Sequence, residues 1–174
     1  MIARGRTTVG SEPLDAAPQA GPWTAKVTAG AWRLRLDALG FLSREQVLVF
    51  SPGENRSQTL RLLARAPSPR VALSADEILL AEPLQFVTDA RGPQLSPGSQ
   101  RELAEVIDLL IHHPEIPQLR IEAPASDGSD TRLIAVREYL IQGGIAPERV
   151  LASELPADNS GRPRVFRIQL RVGR

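Results

Sequence analysis

A change of hydrophobic period divides this chain. Before residue 65 the apolar positions recur every second residue. Trp32, Leu34 and Leu36 alternate with Arg33, Arg35 and Asp37, the pattern of a strand buried on one face. After residue 96 they recur at three and four: Leu103, Val106 and Leu110, with Ile107 and Ile111 beside them, the stripe of an amphipathic helix. Between the two lies Arg65-Ala-Pro-Ser-Pro-Arg70, whose prolines favour an extended connection. The two periods predict two bodies: a β module at 22–66 and an α/β domain at 76–174, joined by a linker over 67–75. With 174 residues there is room for one ordinary domain and a small module. Residues 1–21, rich in Gly, Pro, Ala and Ser without periodicity, are expected to form a flexible arm.

Within the β module, Gly30 and Gly40 bracket the first alternating strand. Gln46–Phe50 predicts a second strand, Ser51-Pro-Gly-Glu-Asn55 a turn, Gln58–Ala64 a third strand and Trp23–Val27 a further one. In the second body Val71–Phe86 reads as extended. Ser96 is placed to cap a helix with Pro97 in its first turn, and Pro114 and Pro117 end it. Leu119–Glu122 predicts a short buried strand. Ser126-Asp-Gly-Ser-Asp130 is a polar loop feeding a second helix, on which Leu133, Val136 and Leu140 share a face and which Gly143-Gly144 stops. Val150–Ser153 and Val165–Val172 predict the last two strands. The order β-α-β-α-β-β predicts helices packed on one face of a mixed sheet, an α+β fold in two layers.

Composition excludes several functions. Net charge is +1, so bulk electrostatics give no case for nucleic acid. Without cysteine there is no disulfide, thiolate metal site or cysteine nucleophile. His112 and His113 are adjacent, and neighbours do not face each other on a helix; placement near the helix C-terminal dipole is the simpler reading. Neither a serine–histidine–acid spacing nor a glycine-rich phosphate loop is present. No enzyme, metal or cofactor is expected. The first residues carry no apolar signal-peptide core, and no stretch is long enough for a membrane span. Read literally, the chain is cytoplasmic.

The candidate site is the loop before the second helix. Asp127 and Asp130 lie in it, with Arg132 in the first helical turn. Unpaired backbone N–H groups at a helix start attract anions. Capping with a surface ion pair is the plain reading of these residues, and ligand binding the other.

Two resemblances bear on that choice. The run Val27-Thr-Ala-Gly-Ala-Trp-Arg-Leu-Arg-Leu-Asp-Ala-Leu-Gly-Phe41, with Ser51-Pro-Gly-Glu54 after the next strand, resembles PEGA and carboxypeptidase-regulatory-like modules over residues 27–64. That implies a small antiparallel β-sandwich-like scaffold and no chemistry. Residues 77–172 resemble the OmpA-like, peptidoglycan-associated domain. The matching pieces, in the family's order, are Ile78–Phe86, Leu95-Ser-Pro-Gly-Ser99 opening a helix, Leu119-Arg-Ile-Glu122, Arg132–Leu140, Gly143–Val150, Ser153-Glu-Leu-Pro156 with Asn159, and Arg164-Val165. In that family an aspartate from a G-H-T-D turn takes the ammonium of diaminopimelate, and an arginine at the next helix start takes its carboxylate. Arg132 matches the arginine. Ser126 stands where the aspartate is expected, and the loop between them is shorter than the family's. Asp127 is the nearest acid to replace it, with Asp130 next. The resemblance implies an envelope or periplasmic protein with protein partners, acting as a scaffold, or alternatively a peptidoglycan anchor.

Overall fold

A computed structural model describes residues 3–9, 12–15, 26–90, 92–125, 128–155 and 169–173. They form a mixed fold with two helices and several sheets, compatible with the α+β class, in two compact units, Met1–Arg65 and Ala66–Arg174.

The first unit is an antiparallel sheet of β1 (Ala3–Val9), β2 (Glu12–Asp15), β3 (Gly30–Ala38) and β4 (Arg44–Phe50), in the order β2-β1-β3-β4. β3 and β4 appear where alternation puts strands, with Trp32 opposite Leu48 and Leu34 opposite Gln46. Leu34 is buried on one side of β3, while Arg33 on the other side is exposed. The return from β3 turns at Gly40, whose φ of 80° suits glycine. Asp37 accepts from Ser43 Oγ at 2.6 Å and from Arg35 Nε at 2.9 Å, fixing the loop to the strand it leaves.

Two expectations need correction here. Residues 3–9 and 12–15, expected in a flexible arm, pair as strands: β1 lies between β2 and β3. Ladder hydrogen bonds need backbone, not an apolar period, and Thr7-Thr8-Val9 has the β-branched character that strands favour. Pro13 falls in β2 at the sheet edge, where a missing N–H is tolerated. Second, Gln58–Ala64 is not a strand. Its backbone pairs only in a lone Phe41–Ala64 bridge, with Leu42 N–H donating to Leu63 O at 2.8 Å, while Gln58 Nε2 donates to Gln46 Oε1 of β4 at 3.3 Å. Leu60 and Leu62 alternate correctly, yet Leu63 and Arg61 are exposed and the segment finds no continuous ladder among the described residues. Of the further strand expected at Trp23–Val27, residues 23–25 lie outside the described residues, and Lys26 and Val27 are irregular.

The second unit begins with β5 (Val71–Leu73) and β6 (Glu77–Leu80), then the hairpin of β7 (Phe86–Asp89) and β8 (Gly92–Leu95). It continues with α1 (Pro97–His112), β9 (Gln118–Pro124), α2 (Ser129–Gln142), a single 3-10 turn at Pro147–Arg149, β10 (Val150–Leu155) and β11 (Gln169–Gly173). The main sheet runs β10-β9-β11-β6-β5, with β9 and β10 parallel and the other pairs antiparallel. The expected linker 67–75 therefore ends early, because Val71–Leu73 is an edge strand of this sheet. The expected extended run to Phe86 breaks at Ser74–Asp76 and again after Leu80, and its last residue belongs to a separate hairpin.

One parity of each central strand is buried. Ile78, Leu119, Ile121, Ala123, Val150 and Leu170 join Leu103, Val106 and Leu110 of α1 and Leu133, Val136 and Leu140 of α2 in a single core cluster. Both helices thus cover the same sheet face. Ser96 caps α1, its Oγ accepting from Ser99 N–H at 3.3 Å. At the far end Arg149 donates to the Ile116 carbonyl at 2.7 Å and the Leu110 carbonyl at 3.4 Å, so a cation from elsewhere in the chain serves the helix C-terminus. Gly144 takes the left-handed conformation, φ 105°, that ends α2. Gly143 has a separate reason to be glycine: a Cβ there would collide with the Ile107 side chain of α1. Among the described residues no helix is long and apolar enough to cross a membrane.

Candidate functional site

The chain leaves β9 at Pro124, and Ala125 N–H donates to the Leu155 carbonyl of β10 at 3.3 Å. Ser126 and Asp127, two of the four expected site residues, lie outside the described residues. The description resumes at Gly128, which caps α2 in the left-handed region at φ 74°, ψ 12°. No side chain caps the helix; Thr131 Oγ1 instead donates back to the Gly128 carbonyl at 3.0 Å. A side chain at 128 would force strain at this φ, so Gly128 sets the angle at which the loop enters the helix. Sequence reasoning placed the helix correctly but gave this glycine no role.

Asp130 lies in the first turn and is exposed, where a carboxylate is stabilised by the helix dipole. Arg132, two residues on in the same turn, is half-buried. Its guanidinium carbon stands 5.9 Å from the centroid of the Phe86 ring at the start of the β7–β8 hairpin. Phe86 is itself packed against the core cluster, so the arginine rests on an anchored aromatic face, an attraction of about 0.5–1 kcal/mol at an exposed site and more when desolvated. The structure therefore joins Arg132 to Phe86, a partner forty-odd positions away that helical spacing does not reveal. A planar guanidinium held this way keeps its N–H edge oriented, which suits a carboxylate or phosphate.

Other sequence candidates find ordinary partners. His112 Nδ1 lies 2.7 Å from the Asp108 carbonyl, and His113 Nδ1 lies 2.7 Å from Glu115 Oε1. The two rings turn to different neighbours. The hydrogen bond from His113 holds the exposed Glu115 carboxyl below its usual range. Among the described residues no group of three or more His, Asp or Glu is arranged to hold a metal ion. Arg171 pairs with Glu122 at 3.1 Å across β11 and β9; Arg164 and Arg167 lie outside the described residues.

A second cluster escaped the sequence reading. Three acids of α1 (Glu102, Glu105 and Asp108) are buried, and Arg70, just before β5, meets two of them. Their spacing of three places them on one side of a helix, which is the signal that acidic residues amid an apolar stripe offer. The partner Arg70 is too far away in sequence to be inferred. Set against known proteins, the chain matches no family model, no curated protein and no solved structure.

Proposed function

We propose that this protein is a non-catalytic scaffold of the cell envelope whose second unit is a divergent OmpA-like domain that holds protein partners. The observation that carries the reading is the order of the second unit. From β6 onward the hairpin β7–β8, α1, β9, α2, β10 and β11 follow in sequence. Apart from that hairpin this is the β-α-β-α-β-β order of the resemblance, with both helices in one core against one sheet. The first unit, a four-stranded antiparallel sheet, suits a module that serves as spacer or contact surface.

The preference for a scaffold over a peptidoglycan anchor rests on charge. Recognition of a zwitterion needs an acid for the ammonium and an arginine for the carboxylate. Ser126 occupies the acid's place in sequence. Removing one member of a two-charge clamp costs several kcal/mol, because the other charge is desolvated without its partner. The anchor reading keeps one supporting observation, the position of Arg132 in the first turn of α2 on the Phe86 ring.

Retention on purified sacculi, wild type beside Arg132→Ala, tests the choice. No retention of either protein is the expected outcome. Strong retention that Arg132→Ala abolishes would replace the scaffold with the anchor. Fractionation of cells producing the protein tests the compartment: recovery with the envelope is expected, and recovery wholly in the cytoplasm would refute that part.

A further inference from the structure

Arg70 is the point at which three carboxylates converge. Its backbone N–H donates to Glu105 Oε2 at 2.8 Å, its Nε to Glu102 Oε1 at 3.1 Å, and its Nη2 lies 3.1 Å from Glu82 Oε1. Glu82 is mostly exposed, but Glu102 and Glu105 are only 2% and 8% exposed. One of the four oxygens on that buried pair stands out: Glu105 Oε1 is buried and meets no hydrogen-bond donor among the described residues. A buried acceptor without a donor is destabilising, because it gives up its bonds to water and gains none in return. Glu102 and Glu105 lie one turn apart on the same face of α1, where side chains of this spacing meet.

We propose that Glu102 carries a proton in the packed state and directs it at the orphaned Glu105 Oε1, and that this proton fastens the segment Arg70–Leu73 to α1. A protonated Glu102 supplies the O–H donor that Glu105 Oε1 lacks, and it lowers the charge of three acids around one arginine. Burial pushes the Glu102 carboxyl above the usual glutamate range; the Arg70 charge opposes that shift, and the Glu82 and Glu105 charges add to it. Those three residues, from the segment before β5, the loop after β6 and α1 itself, are the charged groups named against it. Asp108 and His112, 3.6 Å apart, form the next pair along the helix.

The sign follows from linkage. A carboxyl whose pKa is raised in the packed state binds its proton more tightly there than when released to water. The part of the attachment that Glu102 supplies is therefore fully present at the ordinary glutamate range and below it. It weakens as pH rises through the raised value. β5 is a three-residue edge strand paired only with β6, so weakening at Arg70 reaches it directly. Once β5 parts, the outer edge of β6 presents unpaired backbone groups, the template for strand addition.

The Arg70 amide reports the event, because it donates to Glu105 itself. Its hydrogen-exchange protection factor in the full chain should rise as pH falls from neutral toward the glutamate range, by up to about tenfold per unit of Glu102 displacement. The carboxyl carbon-13 shift of Glu102 should titrate over the same window. Glu102→Gln, whose amide replaces the proton with a permanent donor, should be as protected at neutral pH as the wild type is in mild acid, with a flat profile. His112→Asn should leave the profile unchanged. Protection that stays level or falls on acidification, Glu102 titrating at or below the ordinary glutamate value, or loss of the profile in His112→Asn would each overturn the proposal.

Discussion

The two units solve the same problem with different materials. In the second, two helices and alternate residues of a five-stranded sheet close over one continuous apolar cluster, and Leu103, Val106, Ile121, Val136, Leu140 and Val150 are wholly removed from solvent. In the first, the side chains described from residue 26 onward put Leu34 and Leu42 inside. Val47 and Val49 on β4 remain more than half exposed. There the polar contacts of Asp37 with Ser43 and Arg35 and the backbone ladders do more of the holding. The difference teaches where mutational damage should concentrate: in volume for the helical unit, in hydrogen bonds for the sheet unit.

The contrast can be tested separately in each unit, because both tryptophans, Trp23 and Trp32, belong to the first while both helices belong to the second. Tryptophan fluorescence follows one and far-ultraviolet helix ellipticity the other. Leu110→Ala should have the largest effect, roughly 2–5 kcal/mol lost from the helix transition, with the fluorescence transition in place. A matching fall in both signals would mean that the units unfold as one and would break the comparison. Gly143→Ala comes next. The added methyl must displace Ile107, and overpacking of this kind costs about 1–3 kcal/mol, again in the helix signal. Ser43→Ala should lower the fluorescence transition by about 1 kcal/mol through the lost bond to Asp37. Val49→Thr, at an exposed position of β4, should stay within about 0.5 kcal/mol. A larger loss would show that this face of the sheet is covered in solution.

The helices were legible because their signals are local. Ser96-Pro97 marks the start of α1, the spacing of Leu103, Val106 and Leu110 marks its face, and Gly143-Gly144 marks the end of α2. Each depends on residues within a turn or two. What stayed hidden depends on distant residues. β1 becomes a strand by pairing with β2 and, from far along the chain, with β3, and apart from the β-branched Thr7-Thr8-Val9 little local distinguishes the two from an arm. Gln58–Ala64 alternates as a strand should, yet its backbone pairs only in a lone bridge, since alternation describes a surface and not a neighbour. At the site, Arg132 was visible by its place in a helix start, while its contact with Phe86 spans the hairpin and all of α1. The buried acids of α1 were equally hidden, because a glutamate in a helix reads as solvated until the fold brings Arg70 to it.

The sheet order of the second unit has a consequence for synthesis. β11 lies between β9 and β6, with Leu170 opposite both Ile121 and Ile78. It is the strand that joins the β10–β9 half of the sheet to the β6–β5 half, and it is the last of the five to leave the ribosome. Until residues 169–173 emerge, the edges of β9 and β6 that β11 pairs with have no strand to join them. Domains generally fold as units during translation, and this one closes only when its central strand arrives. The first unit, whose strands are all made by residue 50, has no such wait.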